Sequence, residues 1–446
     1  MDRRESFFDA LREEGLNRFR IHYDWRTGKT VFYAAREWDE DIEWRGYNRR
    51  FTIYSSLTED AVYLGDKAAR EMFRRHGLEG YAERVVDLMR KGRHILLEGF
   101  YWKKKDIRFV NSIHSVKLGI HNRSQAVVMG GIRRHDPDEP EIEVLADGMN
   151  LARGMSFKNV AAHVPCGGCK ITVQSAPVDL EDLDEVGFLA YANDRTRNTT
   201  GPDMNYPAEL ADVVREHFSF GFAGGTKGSL GPTGRPTAWG TYNALKEALE
   251  IVDGNGSLEG RRIAVQGLGS VGAHLADFYL KDGARLVVTD VDRKAVDSFI
   301  SAHPDAPVDA VAPDEIYSVD AEVFSPCAIG GVITEERIPG MHFRVIAGPA
   351  NNQLKAASQE EECSLARVLQ RAGILFLLDW WHNIGGVMTG YEEFVHQEDA
   401  DMEALMSRIG RITREETRRL LRVAEEAGES PTETAYRLVE ERIYGD

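Results

Sequence analysis

Apolar positions along this chain follow two rhythms. Recurrence at every third or fourth residue marks LTEDAVYLGDKAAREMFRRHG, YAERVVDLMRKG and ADGMNLARGMSFKNVAA as amphipathic helices. The same period predicts a helix over TREETRRLLRVAEEAGES, capped at Thr413, in a charged tail from about 394 to 446. Short apolar runs predict strands: TGKTVFYAA, as a hairpin arm after the turn DWRTGK, then IRFVNSIHSVKLGI and AVVMGGI. Further on, RRIAVQGLGSVGAHLADFYLKDGARLVVTDVD reads strand, tight turn, helix, strand. VDAEVFSPCAIGG and FRVIAGPANNQL add two short strands. Strands alternating with helices predict a mostly parallel sheet covered on both faces, an α/β fold. The segment 219–236, SFGFAGGTKGSLGPTGRP, is too rich in Gly and Pro for a core element and marks a long loop or hinge, followed by a helix over TAWGTYNALKEALEIV.

Length and charge narrow the classes. A chain of 446 residues divides its core into two or so domains. With 72 acidic against 55 basic side chains, the net charge of -17 opposes a general nucleic-acid binder or attachment to an anionic membrane. The basic run YWKKKD is read as a solvated loop. No run of 18 apolar residues exists to span a bilayer, and MDRRESFFDALREEG turns acidic too early for a secretory signal. Four cysteines are too few for a disulfide scaffold. Cys166 and Cys169, with His163 just before them, are read as reduced thiols of a cytoplasmic protein rather than a zinc site, so no metal is expected.

Gly267, Gly269 and Gly272 form G-x-G-x-x-G directly after the strand RIAVQ. These glycines allow a tight turn and close backbone approach to a pyrophosphate, aimed at the N-terminus of the next helix. Asp290 ends the following strand, 23 residues after the first glycine. A carboxylate there accepts from a ribose 2′-OH and repels a 2′-phosphate, which favours NAD. Arg293 nearby could tolerate that phosphate.

Ahead of this region stand Arg133 in MGGIRRH, Lys158 in ARGMSFKNVAA, Lys170 in PCGGCKITV and Asp203 in TTGPDMNY. Taken singly, each reads as a surface or turn residue. Lys170, between two glycines and an apolar strand, is placed for a lowered pKa. Together with IHNRSQAVVMGGIRR, RPTAWGTY, VQGLGSVGAHLA, FSPCAIGGVI, IAGPANNQL and DWWHNIGGV, these motifs resemble the glutamate/leucine/phenylalanine/valine dehydrogenase family over roughly 119–395.

The resemblance implies a two-domain amino-acid dehydrogenase fold. Residues 1–236 would form an α/β substrate and oligomerisation domain, with 1–100 a divergent extension. Residues 237–385 would form a Rossmann-like NAD domain, and 386–446 C-terminal helices returning to the substrate domain. The active site would be the cleft between the domains. By resemblance Lys158 pairs with the substrate carboxylate, Lys170 is the catalytic lysine, and Asp203 exchanges protons with amine and water. Met129, Gly130, Asn383, Val387 and Gly390 would line the substrate. Thr237, Ser270, Val271, Cys327, Ala328, Ile329 and Asn352 would join the glycines and Asp290 around the cofactor.

The implied reaction is NAD-dependent oxidative deamination of an amino acid to a 2-oxo acid and ammonia, or its reverse, by a homo-oligomer. Glutamate enzymes carry a lysine where this chain has Met129 and a serine where it has Gly390, so an apolar or aromatic side chain is expected, with Trp380 and Trp381 either pocket walls or core. Arg134, His135, Ile171, Thr172 and His382 depart from the pattern. They leave open a specialised oxidoreductase on a non-proteinogenic amino acid or unusual 2-oxo acid, or a non-catalytic NAD-binding regulatory or assembly protein.

Overall fold

The computed structural model describes residues 5–48, 57–116, 127–196 and 198–445. The start of the family-like run, IHNRSQ up to residue 126, lies outside the described residues, as does the end of the strand expected over IRFVNSIHSVKLGI. The chain divides into two compact units, the first formed by 1–159, 165–231 and 393–400, the second by 160–164, 232–392 and 401–446.

The first unit is built on a mixed sheet. Its strands are β1 (Arg18–Asp24), β2 (Lys29–Arg36), β3 (Val62–Leu64), β4 (Leu96–Trp102), β5 (Ile107–Ile113), β6 (Val128–Met129), β7 (Ile132–His135), β8 (Gly167–Gln174) and β9 (Asn198–Thr199). They lie in the order β3-β2-β1-β4-β5-β8-β6-β9, with β7 also pairing β8. The β1–β2 hairpin forms at DWRTGK because Asp24 accepts from the Arg26 amide and the Thr27 hydroxyl, while Gly28 takes a left-handed conformation. Four strands thus come from the first 102 residues. The expected extension supplies four of the nine strands, and its apolar face, with Phe7, Phe19, Phe73 and Tyr81, shares one core with Val110, Leu145 and Met149. The helix expected from residue 57 is confined to Asp66–Arg75, because Val62–Leu64 joins the sheet edge as β3. YWKKKD splits by environment: Tyr101 and Trp102 are buried in β4, and the three lysines form an exposed turn.

On this unit α1 (Glu141–Ala161) carries Lys158 and runs along β8. A Cβ on Gly168 would lie 2.2 Å from the Ser156 amide nitrogen, so glycine is what allows helix and strand to touch.

The second unit holds a sheet in which every pairing is parallel. β10 (Arg262–Gln266), β11 (Arg285–Thr289), β12 (Val308–Ala310), β13 (Val323–Pro326), β14 (Val345–Ile346) and β15 (Leu375–Phe376) take the order β12-β11-β10-β13-β14-β15. Strands covered on both faces read as unbroken apolar runs, as IAV and LVV do here. Around it lie α2 (Gly234–Asp253), α3 (Gly272–Lys281), α4 (Gly385–His396) and α5 (Met402–Ala427). The Gly/Pro-rich segment ends at α2, which begins three residues before the expected Thr237.

The tail differs from expectation in two ways. α5 starts at Met402, capped by Asp401, which accepts from the Glu403 and Ala404 amides; Thr413 lies in mid-helix with its hydroxyl turned back to the Ile409 carbonyl. A β-hydroxyl satisfied this way no longer acts as a cap. Residues 401–446 also belong to the second unit rather than returning to the first. The reason is an apolar stripe on α5, including Ile409 and Ile412, that packs on α2, where the Trp239 indole donates to the Met406 carbonyl. Only 393–400 rejoin the first unit.

Candidate functional site

In the first unit the sheet itself brings the expected catalytic groups together. Lys170 lies mid-way along β8, flanked by β5 and β7, and is buried. Asp203 is brought to it by backbone pairing: Ile132 donates to the Gly201 carbonyl at 2.9 Å, and the Asp203 amide donates back to the Ile132 carbonyl at 2.9 Å. The Lys170 ammonium then hydrogen-bonds Asp203 Oδ2. Burial lowers the lysine pKa, against the pull of Asp203. Burial would raise the Asp203 carboxyl, but the Lys170 and Arg133 cations hold it below the usual carboxylate range.

Two neighbouring glycines keep the space open. A Cβ on Gly130 would lie 1.7 Å from the Cys169 carbonyl oxygen. One on Gly131 would sit 3.1 Å from Lys170 Nζ and 3.2 Å from Asp203 Cβ, so the hydrogen at that position borders the pair directly. Met129 is buried on β6, beside Gly168 of β8. Lys158 lies half-buried on α1, two residues beyond Ser156, whose hydroxyl accepts from the Gly168 amide at 3.1 Å. Lys170 and Asp203 are therefore in contact, with Lys158 on the helix that borders the strand of Lys170.

Arg133 was quoted in the sequence but given no role, and Asp147 was passed over. Arg133 reaches Asp203 at 3.3 Å and Asp147 at 3.1 Å. Asp147 and Lys158 are eleven residues apart on one helix, about three turns, hence on one face. That spacing was the available signal. Arg134 pairs with Asp136 at 2.7 Å and donates to the Ser175 carbonyl.

In the second unit the glycine turn fits a dinucleotide. Gly267 has a φ of 98°, and a Cβ there would meet Ala328; one on Gly272 would lie 2.0 Å from the Gly267 carbonyl oxygen. Gly269 is different: its Cβ position has no protein atom within 4 Å. The outer glycines are needed by the turn itself, and the middle one faces open space where a pyrophosphate can approach. Asp290 accepts from the Leu268 amide at 2.7 Å and from the Asp292 amide at 2.9 Å, which ties the acid to this turn. Arg293 is turned to Asp297 at 2.9 Å on its own helix, away from the role of phosphate partner.

Of the remaining expected cofactor residues, Cys327 and Ala328 lie against the glycines of that turn. Ala328 and Ile329 are exposed in the loop after β13, Cys327 is half-buried, and the Asn352 carbonyl accepts from the Gly331 amide at 2.8 Å. Asn352 is held in a left-handed conformation, with Asp379 accepting from its amide. Asp379 was missed in the sequence; its place at the head of DWWHN was the clue. Asn383 donates to the Pro349 carbonyl and to Asn351. Thr237 lies in the first turn of α2, against Gly385 and Gly386; Ser270 touches Gly234, and Val271 precedes α3. Val387 is buried and Gly390 half-buried on α4.

Other side chains are packed in the second unit. Trp380 and Trp381 are buried against each other, and Trp380 meets Tyr436 edge-on at 5.4 Å. His382 is buried with its ring between the Thr241 hydroxyl and the Leu377 carbonyl. His163 bonds Glu416, while Cys169 donates to Asn198. Burial pushes the Cys166 thiol up to about 12 and raises Cys169 as well, which disfavours the thiolate a metal needs. Among the described residues no cluster of His, Cys, Asp or Glu has metal-binding geometry, and no helix is long and apolar enough to cross a membrane.

Known proteins resemble this chain in sequence and fold. The profile of the family described as Glutamate/Leucine/Phenylalanine/Valine dehydrogenase matches residues 224–445. Leucine dehydrogenase of Bacillus cereus is 32% identical over 335 residues, 73% of this chain and 86% of its own length. The chain belongs to this dehydrogenase family. L-tryptophan dehydrogenase of Nostoc punctiforme is 31% identical over 342 residues, covering 76% of this chain and 91% of that protein. Its crystal structure superimposes with a TM-score of 0.67 over 80% of this chain and 98% of that one, at 27% identity. The likeness extends well past residue 395, where the sequence motifs ended. The protein is an NAD-dependent amino-acid dehydrogenase.

Proposed function

We propose that this dehydrogenase interconverts an apolar or aromatic L-amino acid with its 2-oxo acid and ammonia. The observation that carries the reading is the buried Lys170 amine held on Asp203 beside two glycines, with Met129 in the wall. The named relatives act on leucine and tryptophan. A second carboxylate, as in glutamate, would need its own cation here. The nearest guanidinium groups are committed, Arg133 to Asp147 and Asp203, Arg134 to Asp136. Leaving that carboxylate unpaired costs several kcal/mol.

The glycine turn, Asp290, the loop around Ala328 and Asn352 would hold NAD, which supplies the hydride acceptor when bound. Lys158 pairs with the substrate α-carboxylate. Asp203 takes the proton of the substrate ammonium and stabilises positive charge developing at that nitrogen. Lys170, in the neutral form that burial favours by lowering its pKa, takes a proton from the water that attacks the substrate's α-carbon after its oxidation. As an ammonium it then polarises the new oxygen. Running backwards, the same residues add ammonia to a 2-oxo acid. A reducing, cytoplasmic setting suits the four unpaired thiols.

The test is NADH absorbance during incubation with NAD and a panel of L-amino acids at alkaline pH. Leucine, valine, phenylalanine or tryptophan should exceed glutamate by at least about tenfold in kcat/KM. Met129→Lys should narrow that gap. Glutamate as the preferred substrate would overturn the assignment.

A further inference from the structure

Beyond the reacting pair, the first unit contains a row of charges that continues outward from Asp203. Lys170 bonds Asp203; Arg133 spans Asp203 and Asp147; His135 lies between Asp147 and Glu139. The distances are 3.3 Å from Arg133 to Asp203, 3.1 Å from Arg133 to Asp147, 3.2 Å from His135 Nε2 to Asp147 and 2.8 Å from His135 Nδ1 to Glu139. Signs alternate along the whole row. The side chains of Arg133 and His135 are only 17% and 12% exposed, while the carboxylates facing them, at 33% for Asp147 and 41% for Glu139, border solvent.

The geometry of the ring is informative. Both its nitrogens face carboxylate oxygens, and a carboxylate only accepts. A neutral imidazole offers one N–H and would leave a lone pair against a negative oxygen. The arrangement therefore calls for the doubly protonated ring. Asp147 is the hinge of the row, because its Oδ2 accepts from both His135 and Arg133.

We propose that Asp147 and His135 are positioning residues for the dehydrogenase reaction, holding Arg133 against Asp203 so that the proton on His135 is coupled to the charge state of the Lys170–Asp203 pair. The proposal rests on the reading that Lys170 and Asp203 carry the proton transfers. With the ring protonated, Asp147 is shared between two cations, and Arg133 is left free to serve Asp203. When the ring loses its proton, Asp147 draws Arg133 more strongly and its hold on Asp203 loosens.

Charged and titratable groups reach His135 from several elements. Glu139 comes from the turn ahead of α1 and Asp147 from α1 itself. Its own strand and the turn after it add Arg133, Arg134 and Asp136, the last two paired with each other. The neighbouring β8 brings Cys169 and Lys170, and the 201–206 segment brings Asp203 and Tyr206. The hydrogen bonds to Asp147 and Glu139 raise the imidazole pKa. Asp147 is held below the usual carboxylate range by His135 and Arg133, although burial opposes this.

Coupling is reciprocal, so it can be read at the far end of the row without measuring turnover. Ring-nitrogen NMR on the full-length protein would follow His135, assigned through its loss in His135→Gln. Asp147→Asn should lower the His135 pKa directly. Asp203→Asn should lower it too, by about half a pH unit, because Arg133 then neutralises Asp147 alone. His135→Gln should also remove an inflection from the pH profile of kcat/KM for reductive amination. A His135 titration that responds to Asp147→Asn but is unmoved by Asp203→Asn would overturn the proposal. So would a uniform scaling of kcat/KM at every pH in His135→Gln. Turnover surviving Lys170→Met would instead strike the underlying catalytic reading, and the ring titration would still report whether the coupling exists.

Discussion

Asp203→Asn isolates the charge on one oxygen from the shape of the site. The amide is nearly isosteric, and its oxygen can still accept from Lys170, so what is lost is the ion pair. Lys170 is 6% exposed at its side chain and Asp203 37%. Breaking a fully buried pair costs about 3–5 kcal/mol, and the exposure of Asp203 reduces this to about 1–2 kcal/mol. The cost depends on pH in a defined direction. Lys170 has its pKa lowered in the folded chain by burial, with Asp203 pulling the other way. Removing Asp203 therefore lowers it further. Below the Lys170 pKa of the variant the amine is charged in both proteins and the full penalty applies. As pH rises through the Lys170 pKa of the variant and then of the wild type, the amine becomes neutral in both and the penalty fades. At the acid end, the wild type gives up the same stabilisation as pH falls through the depressed Asp203 pKa. Urea unfolding at several pH values between about 6 and 10 would measure the gap. A midpoint difference that stays constant across that range would refute the electrostatic account. Turnover should fall by about two to four orders of magnitude at all pH values.

Three further changes test other parts of the structure. Gly269→Ala should leave stability within about 0.5 kcal/mol, since nothing lies near the new methyl, yet weaken NAD binding about tenfold or more in calorimetric titration. Gly272→Ala, whose methyl would meet a carbonyl oxygen at 2.0 Å, should instead lower the unfolding midpoint by the equivalent of about 2 kcal/mol or more. Asp401→Ala removes the acceptor for two amides at the start of α5 and should cost about 1 kcal/mol in thermal or urea unfolding, with NAD affinity unchanged.

The sequence was most legible where chemistry and backbone demand the same residue. The glycine turn, Asp290 and the strands around it could be placed because the IAV and LVV runs are apolar on both faces and the turn leaves no room for a side chain at Gly267 or Gly272. Lys170 and Asp203 could be named, but their contact depends on Ile132 pairing with 201–203, a long-range register with no periodic signal. The tail was misplaced for a related reason: its apolar stripe was visible, whereas the partner surface on α2 was not. Thr413 looked like a cap because a hydroxyl ahead of acidic residues has that pattern, and Asp401 twelve residues earlier serves instead. The packing of Trp380 on Tyr436 had no local signal, because the two rings come from distant parts of the chain.

The double attachment of Asp290 bears on how this enzyme could acquire a different coenzyme. Exchanging that acid for a small neutral residue is the obvious first step toward accepting a phosphorylated ribose. Here the same carboxylate also receives the amides of Leu268 and Asp292. Its removal would unfasten the turn that the pyrophosphate needs, so affinity would drop for both coenzymes before it rose for either. A workable conversion has to supply a replacement acceptor for the Leu268 amide together with the new cation, and single-site libraries at 290 should return only weakened variants.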